Sequence, residues 1–324
     1  MQRSSVSLIP PGGGGVQDYA STIAGPLQAP PLELTPDTDS SSWSGDLLLL
    51  HFSGYGFQKR GVPLWLLKRI DSLRSQFGSF GVVFHELFAF GPPWGSAFWL
   101  NSIQKRIARE LVSVSDFWLT NRDESARWLL DQRQGTPHRV LPVFSNVGEP
   151  QSIDAERLPR LVVFGSAGVR ANVYRWADGE VFRWARKSGL EIHDIGPPSQ
   201  DPLLVQRLRA EGVVSHGKLS ADQVSKELSQ ASCGALAYPT DYVSKSGVFA
   251  AYCAHGICPV LLSKEYGAHD GLRPNVHYAA GFASLDPAAS DARAIGREAR
   301  QWYEPHRIDA HVSALKTLVT EVQK

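Results

Sequence analysis

Short apolar runs alternate along the chain with longer stretches in which apolar residues recur every three or four positions. The runs at 6–9, 46–51, 81–85, 113–119 and 139–143 have the length and content of strands. Between them, 16–24, 63–75, 97–112 and 123–132 read as helices. In 63–75, for example, Leu64, Leu67, Ile70 and Leu73 fall at three-residue steps, close to the helical period. The alternation pauses over 143–159, where Ser145, Asn146, Gly148, Pro150, Ser152 and Pro159 break any period, as an interdomain linker would. It restarts with strands at 160–164, 190–195, 213–216, 233–237 and 257–262. Helices at 173–188, 202–210, 221–230 and 246–255 accompany them. Residues 286–323 are mostly helical, with no strand after them.

Strand–helix alternation of this kind predicts parallel sheets covered by helices on both faces. The expected fold class is α/β, with two Rossmann-like doubly wound domains facing a cleft. The expected boundaries are 1–150 for an acceptor-side domain and 151–300 for a nucleotide-sugar-binding domain. A helix at 301–324 is expected to pack across the junction.

Composition narrows the function classes. The formal net charge of +1 lacks the surplus of a dedicated nucleic-acid coat, so no nucleic-acid partner is expected. Three cysteines are too few for a disulfide framework and fit no zinc spacing. The first ten residues lack signal-peptide character, and no apolar run approaches the roughly 20 residues that span a bilayer. The expected setting is the reducing cytoplasm.

In doubly wound sheets, ligands bind beyond the carboxyl ends of the strands, so the loops there are where chemistry is sought. The first, Pro10–Tyr19, holds Gly12, Gly13, Gly14 and Gly15 ahead of a helix N-terminus, which suits close backbone approach to an anion. It is no Walker loop, and no acidic residue is expected to end a second strand about 20 residues on, as a dinucleotide site would need. The second, His51–Gly61, offers Tyr55 and Phe57, which either line an acceptor pocket or cap the core. The third begins at His85 and Glu86, adjacent and so on opposite faces of a strand, and continues past Pro92 to Trp94.

In the second half, Gly165, Ser166 and Arg170 follow a strand. Lys245, Ser246 and Gly247 precede a helix, with Ser246 a natural cap. A helix N-terminus with a lysine and a small residue suits a phosphate, and Arg170 would supply a second cation to a diphosphate. The stretch from Trp94 to Trp118 also carries Phe98, Trp99, Lys105, Arg106 and Arg109, a face that either touches a membrane or forms a core with a basic rim.

The order of these motifs resembles the GT-B glycosyltransferases, and among them the retaining family-four type. The likeness rests on the glycine loop 12–19, the strand-end His85 and the segment Val140-Leu-Pro-Val-Phe-Ser-Asn-Val147. It rests also on the run from Gly217 to Tyr238-Pro239, and on His255-Gly-Ile-Cys-Pro-Val260, which resembles that family's Gly-x-Pro-Val turn with one extra residue. The family's two glutamates, eight positions apart, would fall at Val243 and Ala251 and are absent.

The resemblance implies sugar transfer from a nucleoside diphosphate, with retention and without metal or other cofactor, the nucleotide sugar being a co-substrate. Gly14, Gly15, Gly165, Ser166, Arg170, Lys245, Ser246 and Gly247 would bind the donor. His85 would contact the transferred sugar, and Tyr55, Glu86 and Trp94 would bind the acceptor: a sugar, a lipid-linked molecule or another small molecule. A peripheral contact at the inner face of a membrane is open. Two other classes stay in view: a sugar-nucleotide-binding scaffold without activity, favoured by the missing glutamates, and a nicotinamide oxidoreductase.

Overall fold

The structure is a computed structural model that describes residues 5–91, 93–153, 156–286 and 291–323. Pro92 of the third loop and residues 287–290 of the C-terminal segment lie outside the described residues. The chain forms two compact units, 1–142 with 308–324, and 143–307.

The first unit contains β1 (Ser5–Ile9), α1 (Gly15–Leu27), β2 (Pro31–Glu33), β3 (Gly45–Ser53), α2 (Gly54–Phe57) and α3 (Leu64–Arg74). It continues with β4 (Phe77–Glu86), α4 (Ser96–Val114), β5 (Phe117–Thr120), α5 (Asp123–Gln132) and β6 (His138–Val140). The second unit contains β7 (Leu158–Phe164), α6 (Ala167–Arg175), α7 (Glu180–Lys187), β8 (Glu191–Ile195), α8 (Pro202–Ala210) and β9 (Val214–Gly217). After these come α9 (Ala221–Gln230), β10 (Ala231–Ala237), α10 (Gly247–Ala254), β11 (Cys258–Leu262), β12 (Ala279–Ala280) and α11 (Asp291–Tyr303). The last helix, α12 (Ile308–Val322), returns to the first unit.

Each unit is built on a six-stranded sheet, ordered β2-β1-β3-β4-β5-β6 in the first and β12-β11-β10-β7-β8-β9 in the second. The paired strands run parallel. The second order is the Rossmann arrangement, and the first is flavodoxin-like with one strand added. In β3 the seven residues from Leu47 to Ser53 are buried without a break, because helices cover both faces and alternation is not needed. Leu48, Leu50, Phe52, Val82 and Phe84 pack there with Ile70 of α3 and with Ile107 and Leu111 of α4. The second core joins Leu161 and Val163 to Tyr174, Val181, Phe182, Val260 and Leu262.

Several elements differ from expectation. Helix α4 runs on to Val114, so β5 is shorter than 113–119. The helix foreseen over 173–188 breaks where Ala177, Asp178 and Gly179 take positive φ. Strands β2 and β12 are too short, and β2 too proline-bound, to show a period. The segment after Pro142 is no free linker. The Val143 amide donates to Ser244 O, the Ser145 amide to Tyr303 Oη and the Arg300 guanidinium to Pro150 O, all within the second unit.

Candidate functional site

In doubly wound sheets the binding crevice opens where strand order reverses, between β1 and β3 in the first unit and between β7 and β10 in the second. The structure puts the glycine-rich loops at both places.

In the first unit, Gly12, Gly13 and Gly14 have φ of 95°, 78° and 106°, a region closed to most side chains. No side chain caps α1, so its first-turn amides remain available to an anion. Strand β2 ends in Glu33, contrary to the expectation that no acidic residue closes a second strand. Residue 17 is Gln, however, so the glycine spacing of a dinucleotide fingerprint is not completed.

Below this loop lies a layer of aromatic rings that periodicity did not announce. Tyr19 of α1 stands edge-on to His51, His85 and His311. Its hydroxyl is 2.7 Å from His311 Nδ1, and His311 Nε2 is 2.9 Å from the Pro142 carbonyl. A carbonyl only accepts, so His311 carries its proton on Nε2 and the tyrosine donates to Nδ1. Burial pushes the Tyr19 phenol far above its ordinary range. His51 Nδ1 lies 3.2 Å from His85 Nε2, and burial, with His85 adding to it, holds His51 well below the ordinary histidine pKa. His51 Nε2 is buried without a partner. A bare lone pair costs less there than a bare N–H, so His51 donates through Nδ1 and His85 accepts on Nε2.

His85 itself is displaced from the ladder. Phe52 pairs with Phe84 but Ser53 pairs with Glu86, so His85 is the extra residue of a bulge. The bulge overrides the simple alternation expected of His85 and Glu86, and the Ser53 hydroxyl donates to Glu86 Oε2 at 3.2 Å. Tyr55 is 42% exposed with its hydroxyl 3.3 Å from Gln104 Nε2, and Trp94 is 88% exposed. Trp94 shares its surface character with Phe90, Phe98 and Trp99 rather than with the buried ring layer.

In the second unit, Gly165 (φ 127°) leads to Ser166, whose hydroxyl caps α6 at the Val169 amide. Ser246 caps α10 at the Phe249 amide. A side chain on Gly165 would lie 3.2 Å from Val248 Cγ2, so the two helix starts are neighbours. Lys245 Nζ sits 5.4 Å from the centre of the Tyr242 ring. Together these give first-turn amides of two helices and a lysine, the makings of an anion cradle.

Arg170 does not join it. Its side chain is 3% exposed, and it pairs with Asp194, donates through Nε to Gly165 O and also bonds Pro197 O. Asp194 is further held by the Tyr174 hydroxyl at 2.8 Å. The expected diphosphate cation therefore locks the glycine loop from behind. Its distance from Ser166 along α6 turned it inward, which linear spacing could not show.

The two absent glutamates correspond to Val243 and Ala251, both buried. A carboxylate reaches this loop from elsewhere: Asp270 accepts from the Ser244 hydroxyl at 2.6 Å. The chain also holds one Asp-x-Asp pair, Asp37 and Asp39, on an exposed turn where the Ser41 amide and hydroxyl both donate to Asp39 Oδ1. Hydrogen bonding to Ser41 keeps the Asp39 carboxyl below its usual range.

No family model and no curated protein matches the sequence. Solved structures do match the fold. Anabaena Alr3699/HepE, solved with UDP and glucose, is 12% identical with a TM-score of 0.61, over 98% of this chain and 100% of that one. An α-glucosyltransferase bound to UDP and a 13-mer DNA is 9% identical with a TM-score of 0.59, over 99% and 100%. The pneumococcal O-GlcNAc transferase GtfA, with UDP and GlcNAc, is 13% identical with a TM-score of 0.56, over 86% of this chain but only 57% of its own length. At such identities the likeness is one of fold, and the fold of this chain is that of the GT-B glycosyltransferases, two parallel six-stranded sheets with flanking helices.

Proposed function

We propose that the protein transfers a sugar from a nucleoside diphosphate to an acceptor recognised by its first unit. The observation that carries this reading is the pairing of Gly165–Ser166 with Lys245–Gly247 at the switch point of the second sheet. A leaving diphosphate gathers negative charge, and amides of two helix starts with Lys245 would stabilise it. Such donors contribute about 3–4 kcal/mol each in a water-excluded site. Asp270, which accepts from the Ser244 hydroxyl, would take a donor hydroxyl in the role that the missing glutamates leave open. His85, accepting from His51, has a defined tautomer with which to meet the transferred sugar. Retention, and transfer without a metal, follow from the family resemblance.

The acceptor reading rests on Phe90, Trp94, Phe98 and Trp99, all exposed, with Lys105 Nζ 5.0 Å from the Phe88 ring and 5.7 Å from the Phe90 ring. Indoles beside cations suit a lipid-linked acceptor at an anionic bilayer surface. No described helix is long and apolar enough to cross a membrane. One similar structure holds DNA, so the exclusion of nucleic acid rests on net charge alone.

A second reading, a nucleotide-sugar-binding protein without activity, is favoured by buried Val243 and Ala251. Calorimetry with a panel of nucleoside diphosphates and their sugars tests both. Binding followed by slow release of free sugar or a transferred product supports an enzyme. Binding with no turnover of any donor supports the second reading, and no binding at all defeats both.

A further inference from the structure

On β8, β9 and α9 of the second unit stands a cluster that neither strand periodicity nor the fold explains. His193 of β8, His216 of β9 and Glu227 of α9 offer ligand atoms that lie within 4.8 Å of one another. His193 Nδ1 is 2.9 Å from His216 Nε2 and 3.5 Å from Glu227 Oε2. We infer that these three side chains form a binding site for a divalent transition-metal ion of the zinc class.

Donor separations argue for it first. Ligands at about 2.0–2.1 Å from a tetrahedral ion stand roughly 3.3 Å apart, so the observed spacings need only small side-chain rotations. The second argument is the outer shell. His193 Nε2 lies 2.7 Å from Glu191 Oε2, which fixes its proton on that nitrogen and turns the Nδ1 lone pair toward the cluster. A carboxylate behind a histidine is the usual support of a metal-bound imidazole.

The third argument is the ladder. Asp194 pairs with Ser215 but Ile195 pairs with Gly217, so His216 is the extra residue of a bulge. A bulge re-aims one side chain at the cost of a regular pair, and this one turns His216 to His193.

The electrostatics leave a place for a cation. His193 Nδ1 and the Glu227 carboxylate are both acceptors, and the one N–H of His216 cannot serve both fully. Arg160 Nη1 is 3.4 Å from Glu227 Oε2 and 3.1 Å from Gln230 Oε1, and its Nε is 4.0 Å from Glu191 Oε2. Its charge opposes an ion, but it has Gln230 and Glu191 to retain. On binding, His216 would move its proton to Nδ1 and present Nε2. The three ligands come from two strands and a helix, so the ion would clamp α9 to the sheet edge, with the fourth position left to water.

The test is zinc titration of the purified protein, stripped with chelator, followed by calorimetry, competition with a chromophoric chelator, and thermal unfolding. One equivalent should bind and raise Tm. His216→Ala and Glu227→Gln should each weaken binding more than tenfold, and Glu191→Gln roughly tenfold to a hundredfold. His269→Ala, at an exposed histidine outside the cluster, should bind as the parent does. Circular dichroism of the stripped proteins verifies that each variant folds. Should Glu227→Gln alone fail to fold, His216→Ala still decides, since its ring is partly exposed. Absence of stoichiometric binding, or binding unchanged in His216→Ala, overturns the site.

Discussion

His85 and His216 stand in the same relation to a histidine of the adjoining strand, although β4 is interior to its sheet and β9 is an edge. Each is the extra residue of a bulge near the carboxyl end of its strand. Each meets a histidine of the adjoining strand whose register partner lies two residues earlier: His51 opposite Val83, and His193 opposite Val214. The environments then separate them. The first pair rests under a buried tyrosine, whereas the second is ringed by carboxylates.

His51 should be neutral and tautomerically fixed. Burial holds His51 well below the ordinary 6.5. Nitrogen-edited NMR should show His51 protonated on Nδ1 only, with resonances flat through the pH range where an ordinary histidine titrates. A His51 signal that titrates near its ordinary value would refute the assignment.

Acid should destabilise the second unit through His255. Its Nδ1 is 2.7 Å from Ala251 O and its Nε2 is 2.7 Å from the Ser225 hydroxyl, and burial lowers it from 6.5 to about 4. The unfolded chain therefore takes up the proton first. Stability is held above about 6.5 and falls as pH drops toward about 4, by on the order of 3 kcal/mol from this group. His306, also lowered by burial to about 4, acts in the same direction. Urea unfolding across this window should show the fall, and His255→Gln should flatten it.

Arg170 and Lys245 should separate cleanly. Arg170→Met leaves Asp194 buried beside Tyr174 without its cation, and breaking such a pair costs about 3–5 kcal/mol. Lys245→Ala should leave Tm within a few degrees but weaken nucleoside diphosphate binding about tenfold or more. If Arg170→Met kept full stability and lost binding instead, Arg170 would return to the diphosphate.

Gly196 couples the two strand ends behind the candidate donor loop. It has φ of 151°, and a Cβ there would stand 2.1 Å from Gly165 O and 2.7 Å from Arg170 Nε. Gly196→Ala should cost about 2 kcal/mol or more and displace the Gly165 turn. Denaturant titration with diphosphate calorimetry would register both losses. Gly189→Ala, with φ of 64° but no atom within 4 Å, should cost less.

The exposed aromatic group can be tested on vesicles. Trp94→Ser with Trp99→Ser should remove flotation with anionic liposomes, while unfolding stays near that of the parent, because the two are 88% and 69% exposed. Equal flotation of parent and variant would discard the bilayer contact.

Much of the architecture was legible because buried parallel strands are continuous apolar runs. Leu47–Leu50 and Val260–Leu262 announce themselves, and helices such as Asp123–Gln132 keep a clear period. The glycine loops were legible for the same reason, as abrupt ends to those runs. The histidine pairs were not. His51 sits inside an apolar run and looks like core, and a bulge cannot be counted from one strand alone. Arg170 and Lys245 look alike as charges in loops. What separates them is the direction of a side chain about a helix axis, fixed by Asp194, a residue 24 positions away.

Helix α12 carries His311 to Tyr19, 292 residues from it in sequence. The first unit is therefore interrupted by the whole of the second and is closed only by residues 308–322. During synthesis, residues 143–307 can gather all their own contacts before the segment that seals the first unit has left the ribosome. Until it arrives, the face of α1 around Tyr19 waits uncovered. A long-range closure of this kind makes for slow maturation and for chaperone demand on the earliest-made part of the chain.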